Sequence, residues 1–306
     1  MERIDLPNTG LDVSRLLLGC MRLPHEYGDA APTIHAALEA GINFFDHADI
    51  YGGGACEAVF GQVWDDGVAR EDVVLQSKCG IRAGRYDFSY EHIMASVEGS
   101  LKRLRTDYLD ILLLHRPDLL MDPGEVAEAF DHLQAGGKVR YFGVSNFTPA
   151  LIELLQPNLS QTLVANQIQL SLAHPYAFDS YLVKGYGEDK LPTRGEGILE
   201  YAMSNDLTIQ AYGPLGAGVL CGKPVGDDQP ALAATAARIA TLAAEYQVSR
   251  EAIALAWLLR HPAGIMPVVG TVNPVRLKGA CAATDFELTR EEWYELYVTA
   301  RGQRLP

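Results

Sequence analysis

The chain has 306 residues, 48% of them apolar, with a mean hydropathy of +0.00 and a formal net charge of −14. That acidity argues against non-specific binding to nucleic acid or an anionic membrane, which needs clustered Lys and Arg, but it leaves room for a small anionic ligand at a local site. No apolar run approaches the ~18 residues that span a bilayer, and Met1-Glu2-Arg3-Ile4-Asp5 lacks the pattern of a signal peptide, so a cytoplasmic protein is expected.

Arg3–Leu6 and 12–14, separated by Asn8-Thr9-Gly10, read as a short hairpin. Strand-like runs follow at residues 16–19, 43–46, 73–78, 109–114, 141–145, 164–169, 208–211 and 265–269. Most are continuously apolar and rich in Val, Ile and Leu, as parallel strands buried on both faces should be. Between and after them lie amphipathic stretches at 31–40, 57–65, 90–104, 123–135, 149–156, 195–204, 231–244, 250–260, 274–282 and 290–300. Thr289 with Glu292 three residues on predicts a capping box at the start of the last helix.

Strands that alternate with helices, without a break in composition, predict an α/β fold of one domain over residues 1–306. The expected architecture is a (β/α)8 TIM barrel with an N-terminal β-hairpin and an additional C-terminal helix. A doubly wound open sheet is the alternative, but its G-x-G-x-x-G fingerprint is missing, as is a G-x-x-x-x-G-K phosphate loop. Residues 171–194, with Pro175, Gly185, Gly187 and Pro192, form the least regular stretch and are expected to be a binding loop or lid. The five cysteines are widely spaced, with no C-x-x-C or H-E-x-x-H pattern, so neither disulfides nor a metal is expected.

Three successive strand-like runs end in reactive groups. Phe44-Phe45-Asp46 delivers a carboxylate followed by Tyr51 and the turn Gly52-Gly53-Gly54; the next run ends in Lys78 and the one after in His115. In a barrel such strand ends meet at one mouth. Together they suit proton donation to a carbonyl oxygen. A free phenol has a pKa near ~10; a neighbouring ammonium lowers it, and a carboxylate keeps that ammonium charged and in place. Each residue alone could as well cap a turn or pack in a core, so the joint placement carries the reading.

In these features the chain resembles the aldo-keto reductases, and the similarity runs essentially end to end. D-x-x-x-x-Y-G stands as Asp46 to Gly52, the lysine strand as Gln76-Ser77-Lys78, the histidine strand as Leu113-Leu114-His115, and the fifth-strand signature as residues 137–147. The resemblance implies an NADPH-dependent oxidoreductase that interconverts aldehydes or ketones and alcohols, with a small-molecule carbonyl substrate. It makes Tyr51 the general acid, Asp46 and Lys78 its tuning pair, and His115 the substrate orienter. It also places Gly19, Cys20, Met21 and Asp46 against the cofactor, Ser145, Asn146 and Gln167 on the carboxamide, and Tyr212 on the nicotinamide ring. Gly213, Pro214, Leu215, Gly216 and Gly218 follow as the pyrophosphate loop.

At the adenosine end the register reads Gly270, Thr271, Arg276, Gly279 and Ala280. Thr271 and Arg276 keep the pattern, whereas the lysine and the adenine-holding pair are absent. Arg276 suits a 2′-phosphate, which favours NADPH over NADH. Arg116 is expected to pair with Asp118 or point away, while Met21, Ile50 and the 171–194 loop shape the pocket. The alternative reading is a cofactor-binding regulatory subunit resembling potassium-channel β subunits; those carry asparagine at the His115 position. A metal-dependent barrel enzyme has less support, for want of ligand clusters.

Overall fold

The computed structural model describes residues 1–182 and 197–305. Eight parallel strands close into a barrel: Leu17–Gly19 (β1), Phe44–Asp46 (β2), Val74–Cys79 (β3), Leu109–Leu114 (β4), Val139–Ser145 (β5), Leu163–Gln169 (β6), Thr208–Tyr212 (β7) and Met266–Val269 (β8). β8 pairs with β1, so the sheet has no free edge. Each predicted strand is found within a few residues of its expected bounds.

The two-residue period of a strand divides these segments between two cores. Leu17, Phe44, Val74, Ile111, Leu113, Val164, Met266 and Val268 fill the interior, where Leu6, Leu11 and Val13 of the hairpin Arg3–Leu6/Leu11–Ser14 join them. The hairpin thus plugs the N-terminal end of the barrel. Leu16, Leu18, Phe45, Leu75, Leu112 and Leu114 alternate with the interior set and pack outward beneath the helices. Continuously apolar strands are what two buried faces require. Gly143 shows how tightly the wall is packed: a Cβ there would lie 2.6 Å from Leu113 Cδ2 and 2.7 Å from the carbonyl oxygen of Ala165.

The interior changes character toward the C-terminal end. The next inward positions are Gln76, Gln167 and Gln210, all buried, and above them Asp46 and Lys78. The site therefore rests on a polar layer, which rests on an apolar plug.

Around the barrel run helices Tyr27–Glu39 (α1), Ala55–Phe60 (α2), Tyr90–Leu104 (α3), Pro123–Ala135 (α4), Pro149–Leu155 (α5), Tyr176–Leu182 (α6), Ile198–Ser204 (α7), Pro230–Tyr246 (α8), Arg250–Leu259 (α9), Pro274–Cys281 (α10) and Arg290–Arg301 (α11). The capping box of α11 is present, with Thr289 Oγ1 accepting from the Glu292 amide and Glu292 Oε2 accepting from the Thr289 amide at 2.7 Å. Three expectations need correction. α1 begins at Tyr27, ahead of its expected start, and continues through Pro32, which has no amide proton for the Gly28 carbonyl. The helix expected at 57–65 breaks after Phe60, where Gly61 lies against the backbone of Arg103 and Leu104, and resumes as the 3₁₀ turn Val63–Asp66. A small hairpin, Ile81–Arg82 with Arg85–Tyr86, was not anticipated.

Of the expected 171–194 loop, Ser171 and His174 form a bridge that leads into α6, while residues 183–194 lie outside the described residues. Among the described residues no helix is long and apolar enough to cross a membrane.

Candidate active site

β2, β3 and β4 lie side by side in register, Asp46 opposite Gln76 and Lys78 opposite Leu113, so their ends face one opening. Tyr51 reaches the same point from the 3₁₀ turn Tyr51–Gly54 that follows β2. This turn depends on glycine. Gly52, Gly53 and Gly54 have φ of 58°, 65° and 95°, and a Cβ on Gly52 would lie 2.5 Å from His25 Nε2.

The Lys78 ammonium is wholly buried and donates to Asp46 Oδ2 at 2.8 Å, the His47 carbonyl at 2.8 Å and the Tyr51 hydroxyl at 3.0 Å. Its three protons therefore have three acceptors. Burial alone would favour the neutral amine. The Asp46 charge and the Tyr51 oxygen outweigh it, and the Lys78 pKa is raised. The ammonium also lies 4.9 Å from the centre of the Tyr51 ring.

For Tyr51 the balance differs from the expectation. Burial raises its pKa, and the opposing pull of Lys78 does not cancel this, so the net direction is upward. At neutral pH the phenol keeps its proton. His115 stands edge-on to Tyr51, ring centres 5.9 Å apart and planes at 79°. Burial, reinforced by Lys78 and Arg116, pushes the His115 pKa down to about 3, so the ring is a neutral imidazole. Its Nδ1 is buried without a hydrogen-bond partner among the described residues. The opening thus holds an uncharged acid, a neutral imidazole and, at Lys78, a buried cation.

The residues expected at the nicotinamide end gather beside this group. Ser145 Oγ donates to the Gln167 carbonyl at 2.8 Å, and Asn146, with φ of 63°, donates to Ser145 Oγ at 2.8 Å and to the His115 carbonyl at 3.3 Å. Tyr212 donates to Asn146 Oδ1 at 3.0 Å. Gln167 Nε2 is turned inward, 3.0 Å from Asp46 Oδ1 and 3.0 Å from Gln210 Oε1, which leaves its own oxygen without a partner among the described residues. Gly19 carries no side chain because Val268 Cγ1 would be 3.0 Å from its Cβ. The Cys20 thiol is buried and bonds the Leu18 carbonyl at 3.6 Å, while Met21 is exposed.

Gly213 has φ of 65°, Pro214 is buried, and Leu215 leads into the 3₁₀ segment Gly216–Cys221. Within it Gly216 and Gly218 have φ of 55° and 96°, and a Cβ on Gly216 would lie 2.8 Å from Ala173. At the far end Gly270 has open space around its Cα, and Asn273 caps α10 by accepting from the Arg276 amide at 3.0 Å. Thr271 Oγ1 accepts from the Asn273 amide at 3.3 Å. Gly279 is held against the N-cap of α9, with Ser249 Oγ donating to its carbonyl at 3.0 Å and only 3.3 Å available for a Cβ. A side chain there would need Ser249 to give by a few tenths of an ångström.

Two cations in this region escaped the sequence analysis. Arg250, at the first position of α9, lays Nη1 within 2.3 Å of where a Gly222 Cβ would stand, and both Arg250 and Arg276 act electrostatically on Cys221. The stem of Lys223 lies beside Gly218. The sequence carries no signal that joins them, since residues 223 and 250 lie far apart along the chain.

Arg116 also departs from expectation. Asp118 accepts instead from the amides of Phe88 and Leu120, both at 2.9 Å, and Arg116 turns toward the opening, 3.5 Å from the Tyr212 hydroxyl. Ile50 and Met21 expose apolar surface nearby in sequence to Tyr51 and Cys20.

Among the described residues no group of three or more His, Cys, Asp or Glu side chains is arranged to hold a metal ion. The site does suit a nicotinamide dinucleotide: a lone amide oxygen on Gln167, glycines with backbone amides at the loop, and a basic rim at Arg250 and Arg276.

The family model for the aldo/keto reductase family matches residues 15–297. The chain is 38% identical over 321 positions to the uncharacterized oxidoreductase YcsN of Bacillus subtilis, with all of both chains covered. It is 37% identical over 321 positions, again with both chains fully covered, to a 6-dehydroglucose reductase of Agrobacterium fabrum. Among solved structures it resembles the thermostable aldo-keto reductase Tm1743, in complex with the inhibitor epalrestat, with a TM-score of 0.78 and 26% identity over 98% of this chain and 100% of that one. Barrel, strand ends and relatives agree: the chain belongs to the aldo/keto reductase family of oxidoreductases, whose general activity is carbonyl reduction with a nicotinamide cofactor.

Proposed function

We propose that the protein reduces an aldehyde or ketone to the alcohol with NADPH, Tyr51 donating the proton. The bound nicotinamide supplies a hydride to the carbonyl carbon. The observation that supports this reading is the chain of contacts from Asp46 through Lys78 to the Tyr51 hydroxyl, with neutral His115 beside the phenol.

In this reading the substrate oxygen sits between Tyr51 and His115. The phenol keeps its proton until charge develops on that oxygen, and Lys78 then stabilises the phenolate left behind. Asp46 holds the ammonium charged and immobile. His115, uncharged, can donate an N–H to the same oxygen without carrying a charge of its own into the site. Gln167 would accept from the carboxamide, with Ser145 and Asn146 beside it, and Tyr212 would hold the ring. The glycines of residues 213–218 would let backbone amides approach the pyrophosphate. Arg276, with Arg250 beside the same loop, supplies the charge that selects a 2′-phosphate.

A titration with NADPH and NADH, followed by a carbonyl panel that includes 6-dehydroglucose, tests the reading. Tyr51→Phe should lower kcat by at least about 10²-fold, while the dissociation constant for NADPH measured by fluorescence stays within a factor of about three. Undiminished turnover would overturn the mechanism.

The pH profile gives a second test. A His115 pKa of about 3 and a raised Tyr51 pKa place both ionisations outside the neutral range. The rate of the reductive chemical step should therefore be level from about pH 5 to about pH 9, falling only as Tyr51 loses its proton at higher pH. A break near the ordinary histidine value of ~6.5 that disappears in His115→Asn would contradict a neutral imidazole.

For the cofactor, loss of a charge-assisted phosphate contact in Arg276→Ala should weaken NADPH binding by about tenfold or more and leave NADH binding nearly unchanged. Equal effects on both would assign the arginine to another part of the site.

A further inference from the structure

Gln76, Gln167 and Gln210 form a closed amide network beneath Asp46. Gln76 Nε2 donates to Asp46 Oδ1 at 2.6 Å and to Gln210 Oε1 at 2.8 Å, and Gln210 Nε2 returns a bond to Gln76 Oε1 at 2.8 Å. Gln167 Nε2 donates to Asp46 Oδ1 and to Gln210 Oε1, each at 3.0 Å. All three glutamines are at most 3% exposed.

An ionised carboxylate only accepts, so Asp46 dictates the direction of every bond below it. Gln76 must turn its nitrogen up to Asp46, which points its oxygen at Gln210. Gln210 must then donate with its nitrogen, and its oxygen becomes an acceptor. That oxygen, together with Asp46 Oδ1, takes up both N–H groups of Gln167. One orientation of Gln167 remains: nitrogen inward and oxygen toward the nicotinamide end of the opening. Without Gln210, Gln167 loses one of the two acceptors that hold it so.

We propose that Gln76 and Gln210 are positioning residues, which fix the Asp46 carboxylate against Lys78 and oblige Gln167 to offer a bound carboxamide its oxygen alone. This rests on the reading of the opening as a nicotinamide site. A polar layer serving stability alone would gain little over an apolar one of the same volume, since every buried amide must be satisfied at the expense of its hydration. The orientation it imposes is its return.

The consequence is a selectivity that binding studies can read. A carboxamide offers N–H donors to the Gln167 oxygen; the acetyl group of 3-acetylpyridine adenine dinucleotide phosphate offers none. The protein should bind NADP⁺ about tenfold or more tightly than the acetylpyridine analogue, the difference one buried hydrogen bond typically makes. Gln167→Leu should abolish that preference. Gln210→Met, of similar length and without hydrogen-bonding groups that match, should also reduce it by about twofold or more, because Gln167 is then held by Asp46 Oδ1 alone.

Gln210→Asn retains both a donor and an acceptor and should keep more of the preference than Gln210→Met, which makes it the conservative rescue and the variant to use if Gln210→Met fails to fold. Gln76→Met should in addition lower kcat while leaving KM for the carbonyl substrate nearly unchanged, because the Asp46 carboxylate loses its shortest hydrogen bond and is held less firmly against Lys78. If wild type shows the preference and Gln210→Met keeps it in full, with Gln76→Met leaving kcat unchanged, the positioning role is wrong although the site reading stands. If wild type shows no preference between the two cofactors and Gln167→Leu changes neither, the reading of the opening itself fails and the inference falls with it.

Discussion

A fully buried ammonium must be neutralised and hydrogen-bonded on all sides, and in this protein much of the site follows from meeting that demand at Lys78. The cost of removing an ammonium from water is several kcal/mol even after relaxation. It is offset by a carboxylate at 2.7 Å, a backbone carbonyl and a phenol. Those partners come from the end of β2 and the turn behind it, so the spacing from Asp46 to Tyr51 and the left-handed glycines of that turn are needed to close the shell. Asp46 in turn needs more than one donor, and the glutamines of the layer below provide them. The chemistry at the mouth and the packing of the barrel interior are thus one problem of satisfying buried charge.

Much of this could be read from the residues in order. Apolar runs of Val, Ile and Leu marked strands buried on both faces, and the alternation with amphipathic stretches gave the barrel. The ends of residues 43–46, 73–78 and 109–114 pointed to the opening, because a barrel brings strand ends together whatever lies between them. The glutamine layer was not legible in the same way. Gln76, Gln167 and Gln210 lie 134 positions apart at the extremes, and only the register of the closed sheet shows that they face one another.

Other features depended on quantities that sequence does not carry. The pKa of Tyr51 is a contest between burial and Lys78, and burial prevails. Arg116 sits next to an aspartate in the chain only two residues away, yet backbone amides claim that carboxylate, so the guanidinium turns to Tyr212. The break in the helix after Phe60 follows from how closely Gly61 approaches α3. At the adenosine end the loss of the adenine-holding side chains looked like a missing function. The structure adds that a Cβ on Gly279 would press on Ser249, and that Arg250 and Arg276 both act electrostatically on Cys221.

The central claim is that Asp46, Lys78 and Tyr51 act as one unit, and a double-mutant cycle on kcat in Asp46→Asn, Lys78→Met and the two combined tests it most directly. Residues that work as a unit are strongly non-additive. The combined variant should lose little more activity than Lys78→Met alone. Losses that multiply, with the double variant falling by the product of the two single effects, would show that the carboxylate and the ammonium act independently and would contradict the account.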